Sequence, residues 1–270
     1  MASGARLLEL FGLEGKTAVI TGGTRGIGLS MARALLDAGA SVVVASRGAD
    51  ACEAAEAELA PHGSATGIPA DLSTRDGCVA LAERVGAAHD GIDILINNAG
   101  TTWGAPFDEF PEIGWDKVVD LNLKAPFYAT QQLAPLLRAR GSAADPSRVI
   151  NVGSIDALQV SGGVNYSYSA TKAALHHLTR VLARELAPRH VVVNAIAPGP
   201  FPTKMLAPLL GEHGERIAGS SPLARLGTED DIAGAVIYLS SRASAWVTGS
   251  VLTVDGGIAT TLPIGWLPDE

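Results

Sequence analysis

The 270-residue sequence predicts an α/β fold, a doubly wound parallel sheet of about seven strands with helices on both faces. Three observations carry this. Short apolar runs alternate with helix-period stretches from one end of the chain to the other. The strand runs are apolar throughout, the pattern of strands covered on both faces. No linker, repeat or low-complexity segment divides the chain, so a single domain over residues 1–270 accounts for it.

The opening, MASGARLLELFGLEGK, has no compact apolar region before a small-residue cleavage site and reads as a short arm into the first strand. Thr17 to Thr21 is that strand, followed by a Gly-rich turn and a helix over Ile27 to Ala38. Ser41 to Ala45 is the second strand, and an Ala/Glu-rich helix runs from about Asp50 to Ala60. Ala65 to Ala70 and a helix from Thr74 to about Ala88 come next, then a fourth strand, Asp93 to Asn97. A long helical region covers about Gly114 to Arg138, with Pro126 and Pro135 placed at bends or ends because proline lacks the N–H a helix interior needs. Arg148 to Val152 is the fifth strand, Tyr166 to Leu186 a helix, and Val191 to Ala195 the sixth strand. After a Pro/Gly-rich excursion the chain returns through a helix at Glu229 to Ser240 and a last strand, Val251 to Val254.

A net charge of −8 argues against nucleic acid or an anionic membrane as partner, and no stretch approaches the ~18 apolar residues of a membrane span. Cys52 and Cys78 are isolated, with no CxxC and no matching histidine pair, so neither a disulfide framework nor a metal site is expected. A cytoplasmic location is the default expectation.

Thr21-Gly-Gly-Thr-Arg-Gly-Ile-Gly28 lies between the first strand and its helix. Glycines there let the backbone turn sharply and approach a ligand closely, and free N–H groups at a helix start favour phosphate. The turn residues Gly22, Thr24, Arg25, Gly26, Ile27 and Gly28 therefore read as a dinucleotide site, although the spacing is GxxxGxG rather than GxGxxG. After the second strand, an acid would engage the adenine ribose and repel a 2′-phosphate. The strand instead ends Ala45-Ser46-Arg47, with no acid until Asp50. Ser46, Arg47 and Arg25 thus favour NADP(H) over NAD(H).

Tyr168 and Lys172 are four apart on one helix and share a face, whereas Tyr166 lies well round the helix and reads as pocket wall or packing. An ammonium beside Tyr168 should stabilise its phenolate, lower its pKa and make it a general acid/base. Carbonyl reduction needs one donor that transfers its proton and one that only stabilises the oxygen, and Ser154 is the second hydroxyl at a neighbouring element end.

The run TGGTRGIG, then Asp71-Leu72, Asn97-Asn98-Ala99-Gly100, Asn122 in LNLK, Ser154, Tyr168 to Lys172, Pro198-Gly199-Pro-Phe-Pro-Thr203 and the closing Thr248 to Gly257 occur in a fixed order. This set resembles the short-chain dehydrogenase/reductase family over essentially the whole chain. The resemblance implies a single Rossmann-fold domain. Tyr168 would transfer the proton, Lys172 would hold the nicotinamide ribose and depress the Tyr168 pKa, Ser154 would orient the carbonyl, and Asn122 would anchor a relay water. Asp71 and Leu72 would meet adenine, and Asn98, Ala99 and Gly100 would line the adenosine ribose. Pro198, Gly199 and Thr203 would bind the carboxamide and pyrophosphate. It further implies a small carbonyl or alcohol substrate, a lid at about 201–225 and a homotetramer or homodimer built on helices near 114–138 and 166–186.

For the substrate, Asn97 to Ala105, Ser147 to Ser154 and Ala197 to Thr203 look similar to NADPH-dependent β-ketoacyl reductases of this family, which implies a 3-oxoacyl thioester or related apolar ketone. Leu10 to Lys16 looks instead like members that oxidise sugar acids such as gluconate. Met205, Leu206, Leu209 and Leu210 offer an apolar face that suits a lid or ordinary packing. Trp103 reads either as reaching the pocket mouth or as buried. Asp156 reads as a solvent-facing turn residue or as a carboxylate facing the pocket. His176 and His177 read as packing or interface residues. A protein that senses NADP(H) without turnover is a remote alternative, because such a sensor has no need of Asn122, Ser154, Tyr168 and Lys172 together.

Overall fold

A computed structural model of the chain describes residues 2–160 and 163–261. Its elements run α1 (Ala2–Phe11), β1 (Thr17–Thr21), α2 (Gly26–Asp37), β2 (Ser41–Ser46), α3 (Ala49–Leu59), β3 (Ala65–Pro69), α4 (Arg75–Ala88) and β4 (Ile94–Asn97). They continue with α5 (Glu112–Val119), α6 (Ala125–Arg140), β5 (Ser147–Val152), α7 (Tyr166–Leu186), β6 (Val191–Pro198), α8 (Ala207–Gly219), α9 (Glu229–Ser240) and β7 (Val251–Val254). The seven strands form one parallel sheet in the order β3-β2-β1-β4-β5-β6-β7. The chain starts mid-sheet, winds outward through β2 and β3, then returns to β4 and winds the other way. The two windings part between β1 and β4, where Thr21 stands level with Asn97. A crevice at the carboxyl ends of strands at such a switch point is where this architecture binds ligands.

Strand residues alternate between two cores. Ala18, Ile20, Ile94 and Ile96 face a cluster that includes Met31 and Leu35 of α2 and Ile232 and Val236 of α9. Val19 and Leu95 face the opposite cluster with Leu81 of α4, Leu133 and Leu137 of α6 and Leu182 of α7. Two covered faces explain why the strands read as continuous apolar runs. A buried polar chain pins the second layer to the sheet: Asn97 Nδ2 donates to Thr130 Oγ1 at 3.1 Å and to Asn151 Oδ1 at 2.9 Å, and Asn151 Nδ2 donates to Thr179 Oγ1 at 2.9 Å. At the far end of the sheet Lys16 pairs with Asp145 at 2.8 Å and Asp93 at 3.6 Å, and the buried Arg148 pairs with Asp145 at 2.6 Å.

Two expectations are corrected. The opening arm is helix α1, whose Ala, Leu, Arg and Glu residues are strong helix formers and whose Glu9 accepts from Arg242 at 2.8 Å. Pro135 lies inside α6 rather than at a bend or end. Pro126 does mark a break. It has no N–H to give the Asn122 carbonyl, and residues Asp120–Lys124 widen into a π turn in which the Ala125 N–H reaches back to the Asp120 carbonyl.

Candidate active site

The glycine turn closes the crevice at one side. Gly22 has φ +65°, a conformation glycine adopts without strain, and a Cβ there would lie 2.8 Å from the Ala99 Cα. A Cβ on Gly28 would overlap the Gly22 carbonyl oxygen and the Asn98 side-chain nitrogen. The turn and the end of β4 are stitched together. Asn98 Nδ2 donates to the carbonyls of Thr21 and Gly22 at 3.1 and 2.9 Å, and Thr21 Oγ1 accepts from the Asn98 and Ala99 N–H groups at 3.0 and 3.1 Å. The Asn98 amide is thus committed to shaping the turn. Thr21, a functional position not singled out from sequence, is signalled only as a polar residue closing an apolar strand.

Arg25 precedes α2 and Arg47 follows β2. Both are exposed, and neither is ion-paired among the described residues. Ser46 closes β2, its hydroxyl 3.5 Å from the Cys52 sulfur. Two exposed guanidiniums, no acid between the end of β2 and Asp50, and a helix start without a side-chain cap form a donor set that fits a dinucleotide with a 2′-phosphate. Asp71 caps its own turn through Ser73, whose N–H and hydroxyl donate to Oδ1 at 3.1 and 2.7 Å, and Leu72 is buried. Thr203 packs beside Gly26 across the mouth of the turn, and Gly199 lies against Asp255.

On the other side, β5 delivers Ser154, α7 delivers Tyr168 and Lys172, and the π turn delivers Asn122. Ser154, Lys172 and Asn122 are buried. The Ser154 hydroxyl lies close enough to the Tyr168 hydroxyl to act on its ionisation. Lys172 Nζ donates to the Val152 carbonyl at 2.6 Å and sits 5.6 Å from the centre of the Tyr168 ring. Asn122 Oδ1 accepts from the Thr101 N–H at 2.8 Å, while its Nδ2 donates to the Thr101 carbonyl at 2.9 Å and to Thr171 Oγ1 at 3.4 Å. The side chain thereby locks the loop after Gly100 to α7.

The expectation that Lys172 depresses the Tyr168 pKa is overturned. Burial pushes the Tyr168 hydroxyl up to about 12, the neighbouring Ser154 hydroxyl opposes this, and the Asp156 carboxylate adds to the rise. Lys172 is engaged with Val152 instead, and burial pushes its own pKa down to about 8. The Tyr168 hydroxyl is therefore protonated at neutral pH.

Trp103 does not reach the pocket mouth. It packs against Gly114 on α5, with the Lys117 ammonium 5.5 Å from its ring. Tyr166 meets Phe107 and Phe110 edge-on, with ring centres 5.8 and 5.4 Å apart. His176 is buried behind Gly153, with burial and the Lys172 charge pushing its pKa down to about 4, and His177 is exposed. Cys52 and Cys78 are buried free thiols, and among the described residues no cluster of His, Cys, Asp or Glu could hold a metal. Among them also, no helix is long and apolar enough to cross a membrane.

The segment 201–225 leaves and rejoins the domain on two pinned stems. Phe201 is buried beneath Gly227, whose N–H donates to the Pro200 carbonyl at 3.0 Å. At the other stem Arg225 forks onto Asp231 at 2.6 and 2.9 Å. That fork and two bonds from Thr228 hold the Asp231 carboxyl well below the usual carboxylate range. Between the stems lies α8, which deviates from helical geometry at His213, and Met205 is exposed. The side chain of Leu209 lies outside the described residues.

Residues 22–259 match a family model described as enoyl-(acyl carrier protein) reductase. The rhamnolipids biosynthesis 3-oxoacyl-[acyl-carrier-protein] reductase of Pseudomonas aeruginosa is 44% identical over 92% of this chain and 97% of its own. The gluconate 5-dehydrogenase of Gluconobacter oxydans is 34% identical over 94% of this chain and 98% of its own. Among solved structures, the Pseudomonas aeruginosa RhlG/NADP active-site complex superposes with a TM-score of 0.90 at 43% identity, covering 93% of this chain and 99% of that one.

Proposed function

The chain belongs to the short-chain dehydrogenase/reductase family, and from that premise we propose that it is an NADPH-dependent 3-oxoacyl reductase, with Tyr168 as proton donor, Ser154 as oxyanion donor, and Lys172 and Asn122 as their support. The observation that carries this is the cluster of Tyr168 with the buried Ser154 and Lys172, the Tyr168 hydroxyl kept protonated by burial, set beside a glycine turn flanked by two exposed arginines.

When bound, NADPH supplies the hydride. As hydride arrives at a ketone carbon, negative charge builds on the oxygen. The Ser154 hydroxyl stabilises that charge without giving up its proton, and Tyr168 transfers its own. The Asp156 N–H donates to Ser154 Oγ at 3.1 Å, which leaves the serine hydrogen free to point at the carbonyl. Lys172 holds the nicotinamide ribose from α7. Gly22, Thr24, Gly26, Ile27 and Gly28 cradle the pyrophosphate, and Arg25, Ser46 and Arg47 take the 2′-phosphate. Asp71 and Leu72 meet adenine. Asn98, Ala99 and Gly100 would shape the adenosine side, and Pro198, Gly199 and Thr203 would bind the carboxamide and pyrophosphate. Residues 201–225 act as the lid of a single domain spanning 1–270.

The protein works on a small-molecule ketone in the cytoplasm, a location supported by its two buried free thiols. It assembles as a homotetramer or homodimer through α5, α6 and α7, which expose Ile113, Trp115, Phe127 and Val181. A second reading, oxidation of a sugar acid, draws on the gluconate 5-dehydrogenase likeness. The test is the rate of NADPH, and separately NADH, oxidation with a short 3-oxoacyl thioester, beside Tyr168→Phe. Turnover that favours NADPH and falls ~100-fold or more in the variant, with NADPH binding retained, supports the assignment. Full turnover by Tyr168→Phe refutes the mechanism.

A further inference from the structure

Asp156 takes no part in the proton transfer above, yet it is built into the same frame. It lies on the single turn Ile155–Ala157 directly after Ser154. Its N–H bonds Ser154 Oγ, and its Oδ2 accepts from Asn165 Nδ2 at 2.8 Å. Asn165 stands immediately before α7, three residues ahead of Tyr168, and its own Oδ1 accepts from Ser169 at 3.2 Å. The carboxylate is therefore bracketed by the two elements that deliver the reacting hydroxyls. Its recorded side-chain partner is a neutral amide, and among the described residues no cation pairs with it. Its field reaches the Tyr168 hydroxyl and helps to raise that group's pKa.

We propose that Asp156 is a specificity-determining residue that admits neutral ketones and repels those carrying an anionic group close to the reacting carbonyl. The inference rests on the carbonyl-reductase reading and deepens it. A 3-oxoacyl thioester is uncharged on both sides of its ketone and meets no penalty. A sugar-acid or free 3-oxo-acid carboxylate brings a second negative charge into the same partly buried space. At a separation of ~7 Å in a protein-like dielectric, such repulsion lowers affinity about ten-fold or more.

An isosteric pair isolates this charge: acetoacetamide, neutral, and acetoacetate, anionic. Two readouts are taken for wild type and Asp156→Asn, kcat/KM with NADPH and the Kd of each ketone for the NADPH-loaded protein. Wild type should prefer the amide about ten-fold or more in both, and Asp156→Asn should bring the ratio near one, chiefly by improving the anion. Asp156→Ser serves as the second charge-removing variant if the Asn variant does not fold. A preference that is absent in wild type, or that survives in the variants, overturns the proposal. Discrimination in Kd that disappears in Asp156→Asn while neither ketone is reduced sustains the role of Asp156 and instead sinks the reductase reading.

Discussion

Lys172 is held in its place at a cost to stability, and that cost is measurable. The residue is 4% exposed, and among the described residues its ammonium has one acceptor, the Val152 carbonyl. Burial pushes its pKa from the usual 10.5 to about 8, which at 1.36 kcal/mol per pH unit is a destabilisation of about 3 kcal/mol. Lys172→Met removes the charge while keeping an unbranched apolar stem, but it strands the Val152 carbonyl, which returns about 1 kcal/mol of that gain. The net stabilisation at pH 7 is about 2 kcal/mol, a rise in Tm of roughly 4–8 °C for a chain of this size. The sign follows from the direction of the shift. The folded state binds the Lys172 proton more weakly than the unfolded chain does, so the penalty is fully present below about pH 8. It fades as pH climbs towards 10.5 and is gone above that. The advantage of the variant should therefore largely vanish by pH ~9.5. Thermal melts of the cofactor-free proteins at pH 7 and 9.5, beside an activity assay in which the variant is inactive, make the test. A variant that melts at or below wild type at pH 7, or whose advantage is equal at both pH values, refutes the reasoning.

Two further outcomes follow from the cofactor side of the crevice. Arg47→Ala should weaken NADPH binding about ten-fold and leave NADH nearly unchanged, because a charge-assisted contact to the 2′-phosphate is lost. Fluorescence titration reads both constants, and an equal loss for the two cofactors would place Arg47 elsewhere. Gly28→Ala forces a methyl into the Gly22 carbonyl and the Asn98 amide. It should destabilise the fold by about 1–3 kcal/mol and weaken both cofactors, seen as a lower Tm and lower affinity for each. A variant that melts like wild type would show that the turn relaxes without loss.

The periodicity of the chain was enough to place the strands and the helices α7 and α9. Tyr166–Leu186 and Glu229–Ser240 have the boundaries read from sequence, because uniformly apolar strands and amphipathic helices are local signals. The N-terminal helix was missed because a ten-residue amphipathic stretch leaves little to separate it from an arm. The π turn at Asp120–Lys124 was missed because its cause, Pro126 withholding one N–H from Asn122, reads in sequence only as a break. At the site, motif order brought out Asn122, Ser154, Tyr168 and Lys172, and their i, i+4 geometry on α7 was legible. The pKa of Tyr168 was not. Spacing shows that Lys172 can lie beside Tyr168, but the hydroxyl answers to burial, to Ser154 and to Asp156, whereas the ammonium answers to a carbonyl on β5. In the same way Trp103 chose Gly114 and Lys117 over the pocket, and Asn98 turned inward to hold the glycine turn.

The sequence by itself determined the parallel doubly wound sheet, the glycine-rich turn after β1 with Arg25 in it and Arg47 after β2, and the set of hydroxyls and amine that carbonyl chemistry needs. These follow from local backbone preference and from residue type. Only the tertiary structure decided how burial shifts the Tyr168 hydroxyl, what Lys172 and Asn122 bond, and that the half-buried Asp156 bonds Asn165 beside Ser154 and Tyr168. Burial and the field of a neighbouring charge are set by residues distant in sequence that meet only once the sheet has closed beneath both layers of helices.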